Sequence, residues 1–151
     1  MVFFCLSRSK LKLYRDMRVN EKGLPELGYT SSTLGVRICG CTVDESYRRP
    51  DILVNEHGFV EPLTGGLSIT PPEITKNISD MSADRINRGK TLLWMIDVSV
   101  LSKYGLKFRQ DPDKVYHGFI EPIEIIVPFD YNKNIQSTQC EWEVCHELQS
   151  E

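Results

Sequence analysis

The chain has no long apolar run, no block of basic residues, no internal repeat and no low-complexity tract. Its longest apolar stretch falls far short of the roughly 20 residues that a membrane-spanning helix needs, so no membrane partner is expected. Lysine and arginine number 18 against 21 acidic residues, and the two signs are interspersed at a net charge of −3. There is accordingly no concentrated positive stretch to signal nucleic-acid binding. Without a linker or a shift in composition, residues 1–151 read as a single domain long enough to bury a core. The cysteines are five, an odd and irregularly spaced set. That excludes a regular disulfide framework and points to reducing cytoplasm. Cys39-Gly40-Cys41 with His57 offers zinc-ligand side chains, but no second C-x-x-C knuckle completes a site. Reduced structural thiols are expected, and no metal. The first ten residues, MVFFCLSRSK, lack a charged segment before the apolar ones and a small-residue cleavage site. They read as a strand or an arm rather than a secretory leader.

What is present is mostly strand. Residues 11–17 alternate, with Leu11, Leu13, Arg15 and Met17 on one face and Lys12, Tyr14 and Asp16 on the other. Arg15 thus stands on an otherwise apolar face, where a guanidinium needs an internal carboxylate or an anionic ligand. Residues 20–37, rich in Gly, Pro, Ser and Thr, read as a long loop with at most a short strand from Thr33 to Ile38. Arg48 and Arg49 read as solvated. A short helix is expected from Ser79 to Arg88, with Ser79 as its N-cap and Gly89 just past its end. Leu92 to Val98 reads as a buried strand, Val100 to Tyr104 as a helical turn stopped by Gly105, and Leu106 to Arg109 as a further strand. Residues 115–128 form the most β-like stretch, split by Pro122. They place His117, Phe119 and Glu121 on one face and Glu124 on the other. From Asp130, taken as an N-cap, a closing helix is expected over the tail, with Trp142 available to pack, as Trp94 is in its strand. Few strands alternate with long helices, which argues against a parallel fold. The expected class is α+β: two small packed antiparallel sheets with a cleft between them and a few short helices.

The stretch from Pro50 to Pro72, PDILVNEHGFVEPLTGGLSITPP, organises this reading. Asn55-Glu56-His57-Gly58 has turn chemistry. Gly65 and Gly66 leave room for a ligand or another backbone to come close. Thr64, Ser68 and Thr70 bring hydroxyls, the last two on one strand face. Such a floor can hold sugar and phosphate oxygens, although a plain surface hairpin would carry the same residues.

In chain order, Arg15, the Ser68-Ile69-Thr70 strand and a late glutamate (Glu121 or Glu124) resemble the arginine, serine-threonine-serine, glutamate arrangement of the ADP-ribosyltransferase fold. Leu13-Tyr14-Arg15 looks like the first motif of that fold and Gly65-Gly66-Leu67-Ser68-Ile69 like the second. Pro50-Asp51-Ile52, Gly58, Pro62, Thr64-Gly65-Gly66 and Ser68 resemble more closely the small NAD-dependent toxin family exported by type VI secretion. The likeness extends weakly through Leu106-Lys107, Gln110-Asp111, His117, Ile120 and Pro122. The hydroxyl strand departs from that pattern, being Ser-Ile-Thr rather than Ser-Thr-Ser.

The resemblance implies an ADP-ribosyltransferase-like domain and a toxin acting in the cytoplasm, that of a target cell after secretion. NAD would be its substrate, cleaved with loss of nicotinamide by transfer or by glycohydrolysis. It implies further partners: a protein target and a cognate immunity protein or antitoxin. Arg15 would hold a phosphate or a ribose, Thr64, Ser68, Thr70 and His117 would line the cofactor site, and the Gly65-Gly66 backbone would approach the nicotinamide amide. Glu121, or else Glu124, would supply the carboxylate that meets positive charge on the ribose. His117 is alternatively a proton carrier or a satisfied rim residue. Two other readings stand beside the enzyme: a non-catalytic module that keeps the fold, and an antitoxin-like or scaffold protein that uses a strand edge.

Overall fold

The computed structural model describes residues 11–28, 36, 38, 51–72 and 78–146. Within them lie six strands: β1 (Lys12–Met17), β2 (Leu67–Ile69), β3 (Leu92–Asp97), β4 (Leu106–Gln110), β5 (Gly118–Pro122) and β6 (Glu143–Val144). Two α-helices accompany them, α1 (Asp80–Asn87) and α2 (Pro128–Ser137), with 3₁₀ turns at Val98–Tyr104 and Gln139–Glu141. The strands form two three-stranded antiparallel sheets, ordered β1-β3-β6 and β2-β5-β4. The α+β class and the pair of small antiparallel sheets match the sequence reading.

One apolar core lies between the sheets. Leu13, Trp94 and Ile96 from the first sheet meet Leu67, Ile69, Leu106 and Ile120 from the second, and α2 closes the end with Tyr131 and Ile135. Both tryptophans are core residues: Trp94 donates to the Met17 carbonyl at 3.0 Å and Trp142 to Thr138 Oγ1 at 3.1 Å. On the other face of β1, Tyr14 packs with Leu93, Cys145 and the α1 side chain Ile86. The sheets meet where the end of β2 pairs with β1. Tyr14 N–H donates to the Thr70 carbonyl at 2.9 Å, and Thr70 N–H to the Tyr14 carbonyl at 2.7 Å.

Local chemistry explains the element ends. Ser79 caps α1 by accepting from Ser82 N–H at 3.2 Å, and Gly89 follows the helix with φ +74°. Gly105, at φ +69°, stops the first 3₁₀ turn where expected. Asn55 Oδ1 accepts from His57 N–H and Phe59 N–H, which builds the expected turn before Val60 pairs with Ile126.

Two expectations needed correcting. The last helix begins at Pro128 behind Val127, not at Asp130, because proline is pre-set for the first helical position; Asp130 lies in the first turn. It ends at Ser137, and a 3₁₀ turn and β6 take up the rest of the tail. Within residues 115–128 only Gly118–Pro122 is strand. Gln110 Nε2 donates to the Lys114 and His117 carbonyls at 3.0 and 2.9 Å, which holds the preceding residues as a loop. Cys5, Cys39, Cys41, Arg48, Arg49 and most of the Thr33–Ile38 segment lie outside the described residues, whereas Cys140 is exposed and Cys145 buried.

The glycine pair is needed for close backbone approach. A Cβ on Gly65 (φ +139°) would sit 1.8 Å from the Asp51 carbonyl oxygen; one on Gly66 (φ +150°) would sit 2.5 Å from the Ile120 carbonyl oxygen. The buried Tyr131 hydroxyl is inserted between the paired residues Leu67 and Ile120, accepting from Leu67 N–H at 3.1 Å and donating to the Ile120 carbonyl at 2.7 Å. Burial pushes its phenol well above the ordinary range. Tyr131→Phe strands two buried backbone groups and should cost about 1–3 kcal/mol in denaturant unfolding. Gly66→Ala adds both strain and a clash and should cost upwards of about 3 kcal/mol.

Candidate functional site

A pocket of about 200 Å³ opens where the two sheets separate beyond the Tyr14–Thr70 pair. Its floor is Arg15 from β1 with Ser68, Ile69 and Thr70 from β2. One wall is α1, through Ser79, Met81, Ser82 and Arg85; the other is Tyr116 and His117, just ahead of β5. A second hollow of about 490 Å³ continues from it, sharing Ser79, Met81 and Tyr116 and adding Lys114. Tyr116 is exposed and stands on the boundary of the two.

Arg15 reaches across the sheet junction, and its Nη1 donates to the Ser68 carbonyl. Burial pulls the guanidinium pKa below its ordinary value, while Asp16 and Asp51 act to raise it. Arginine stays charged through such a shift. The next residue, Asp16, points to the other face of β1 and meets α1. It accepts from Arg85 Nε at 2.6 Å, Arg85 Nη2 at 3.0 Å, Ser82 Oγ at 2.7 Å and Thr91 Oγ1 at 3.2 Å. Burial would raise this carboxyl, but the hydrogen bonds and charge of Arg85 outweigh it, so its pKa lies below the ordinary carboxylate range. Asp16 is thereby committed to holding α1 against β1, and Arg85 is drawn to the pocket edge.

Antiparallel pairing sets the second sheet out in rows. Ser68 lies opposite Phe119, and Phe119 opposite Arg109, all on the face away from the core residues Leu67, Ile69 and Ile120. Arg109 stacks on the Phe119 ring at 4.7 Å. One row towards the pocket are Thr70, His117 and Asp111, joined by the Asp111 N–H to His117 carbonyl bond of 3.1 Å. His117 Nδ1 is 2.7 Å from Asp111 Oδ2, and His117 Nε2 is 3.0 Å from Ser68 Oγ. The hydrogen bond to His117 holds the Asp111 carboxyl below its ordinary range.

One row away from the pocket lies Glu121, opposite Lys107. It is fully buried. Its Oε1 accepts from Arg109 Nε at 2.8 Å and from Leu63 N–H at 2.9 Å, and its Oε2 lies 3.6 Å from Lys107 Nζ. Leu63 has φ +69°, a conformation unfavourable to a side chain, and this hydrogen bond helps to hold it. Glu121 therefore ties β4, β5 and the turn before Gly65 together, and Glu124 is exposed in the turn after β5.

Of the residues singled out in sequence, Arg15, Ser68, Thr70 and His117 share the pocket. Glu121 shares the sheet face but is enclosed. Thr64 lies outside the pocket lining, donating to the Glu61 carbonyl at 2.8 Å and accepting from Leu53 N–H at 3.2 Å. Where a side chain would stand on Gly65 and Gly66 there is protein backbone. Sequence reasoning missed Asp16, Arg85, Tyr116 and the role of Asp111. The acidic Asp-Pro-Asp turn six residues before His117 was the available signal for the last. Among the described residues no group of histidine, cysteine and acidic side chains could hold a metal ion, and no helix is long and apolar enough to cross a membrane. No protein-family model matches the chain, and no curated protein matches it significantly.

The Asp16 cluster has a testable pH signature. A carboxyl whose folded pKa is depressed contributes stability that is complete above its unfolded pKa and lost as pH falls through the folded one. Near neutral pH, Asp16→Asn should therefore be less stable than wild type by about 1–3 kcal/mol. In urea unfolding, the difference should shrink as pH drops below about 4.

Proposed function

We propose that the chain binds NAD in this pocket and transfers its ADP-ribose unit with release of nicotinamide, as a toxin acting in the cytoplasm of a target cell. The observation that carries the reading is the meeting of Arg15, from the first strand, with Ser68 and Thr70, from the glycine-led hydroxyl strand, in one cleft. Those residues carry the resemblance to the ADP-ribosyltransferase fold, and their convergence was not implied by chain order. The chemistry of the walls agrees with such a ligand. Arg15 and Arg85 bring guanidinium charge that suits a diphosphate. Serine and threonine hydroxyls suit ribose, and the exposed Tyr116 ring offers a face to a heterocycle. The adjoining hollow gives room for a ligand longer than the pocket itself. A protein target and an immunity protein would be its partners in this reading.

One observation favours a second reading, a binding module that has lost turnover. Glu121 is enclosed by Arg109, Lys107 and the Leu63 turn, and Glu124 is exposed in a turn, so neither candidate carboxylate lines the pocket.

Regulated expression with growth and cellular NAD followed together separates these. On the enzyme reading, wild type arrests growth and depletes NAD, while Arg15→Ala and Ser68→Ala lower nicotinamide release by about 10²–10³-fold and restore growth. Purified wild type that binds NAD without releasing nicotinamide would establish the module instead. Arrest that survives both substitutions would place the activity elsewhere.

A further inference from the structure

We propose that Asp111, His117 and Ser68 form a proton relay that serves the second substrate, and that this substrate is a hydroxyl compound or water. The inference rests on the NAD-using reading of the pocket and supplies the proton acceptor which the enclosed glutamate cannot.

The relay follows from the order of the contacts. Asp111 carries an ionised carboxylate 2.7 Å from His117 Nδ1, so Nδ1 bears the hydrogen and donates it. Nε2 is then left with its lone pair and accepts from Ser68 Oγ–H at 3.0 Å. With its hydrogen turned to His117, the Ser68 oxygen offers lone pairs to the pocket it lines. The arrangement is preorganised. Asp111 Oδ1 accepts from Asp113 N–H at 2.8 Å, and Gln110 Nε2 holds the His117 carbonyl at 2.9 Å. The His117 ring also rests edge-on against Phe119 at 4.7 Å. No reacting group is needed to hold the loop together, yet its imidazole ends on a hydroxyl in the pocket.

The step balances. As the bond between the ribose C1′ and the nicotinamide nitrogen breaks, its electron pair leaves with the nicotinamide, which departs neutral. The oxygen of the second substrate forms the new bond to C1′. Its proton passes to Ser68 Oγ while the Ser68 proton passes to His117 Nε2, and the imidazolium is paired with Asp111. Only an attacking group that must lose a proton as it bonds, such as a hydroxyl or water, benefits from this; a group that is already anionic does not. Ser68 and His117 act on the reacting atoms, and Asp111 is a positioning residue. Two charged groups of the pocket are otherwise committed: Asp16 is bound by Arg85, and Arg15 holds the Ser68 carbonyl.

The test uses purified full-length chain with NAD binding followed by calorimetry and nicotinamide release by chromatography. Asp111→Asn keeps the Oδ1 acceptor but presents an amide N–H to Nδ1, which reverses the histidine tautomer. His117→Ala removes the imidazole. Both should lower kcat by about 10²–10⁴-fold, Asp111→Asn should leave KM for NAD unchanged, and added imidazole should restore turnover to His117→Ala but not to Ser68→Ala. Variants with wild-type kcat, or with weakened NAD binding at unchanged kcat, would overturn the relay and leave the NAD reading standing. Wild type that binds NAD without releasing nicotinamide would overturn the relay and the transfer reading together, leaving the binding module, and wild type that does neither would overturn NAD binding as well.

Discussion

Two backbone hydrogen bonds between Tyr14 and Thr70 fix the geometry on which the pocket depends. They pin an edge of one sheet to the end of a strand in the other, and the sheets diverge from that point. Because side chains alternate along a strand, the junction sends the neighbours of Tyr14 and Thr70 to defined places. Arg15 is sent towards Ser68, and Asp16 towards α1. A slip of one residue in β1 would exchange them, putting a carboxylate where the guanidinium stands and leaving α1 without its anchor. The register is protected from both sides: Leu13 and Met17 must enter the core beside Trp94, while Tyr14 must meet Leu93 and Cys145.

Where one short-range rule decides the outcome, the sequence was legible. Ser79 and Gly89 bracket α1, Gly105 ends a 3₁₀ turn, and Asn55 builds a turn through its own side chain. The alternation of residues 11–17 correctly placed Arg15 with the core residues. The misread features depend on partners outside the misread segment itself. The β-like composition of residues 115–117 is overridden by Gln110, which captures carbonyls that a strand would have paired. The end of α2 is set by the demand of β3 for a second neighbour, which β6 meets. Glu121 was assigned to the pocket as the late glutamate of the family resemblance; that Arg109, Lys107 and a turn 58 residues away close over it is a fact of tertiary packing. The glycine pair was read correctly as a close approach, but what approaches is the backbone of Asp51 and Ile120.

The distribution of charge links these local facts. A buried carboxylate is tolerated only when paired, and Glu121 has two cations and a backbone N–H. Freeing it for chemistry would leave Arg109 and Lys107, neighbours on one face of β4, without their shared carboxylate and would release Leu63 from the hydrogen bond that holds its strained backbone. Asp16 is likewise tied to Arg85, so that displacing it would loosen α1 from the wall it forms. The cost of recruiting either carboxylate therefore falls on the fold.

The Ser68–His117 pair avoids that cost. In a pocket already bearing Arg15 and Arg85, a bound dinucleotide would bring negative charge on its diphosphate and positive charge on its nicotinamide. As nicotinamide leaves, the ribose becomes cationic, and a hydroxyl that adds to it must shed a proton near two guanidiniums. Passing that proton through Ser68 to His117 carries it away from the guanidiniums and delivers it beside the Asp111 carboxylate. Asp111 can accept the role because its loop is held by Gln110 and by the Asp111 N–H to His117 carbonyl bond, and not by the carboxylate–imidazole contact alone. In the proposed reaction Asp111 thus acts at one remove, and the enclosed glutamate serves by keeping the sheet face in register.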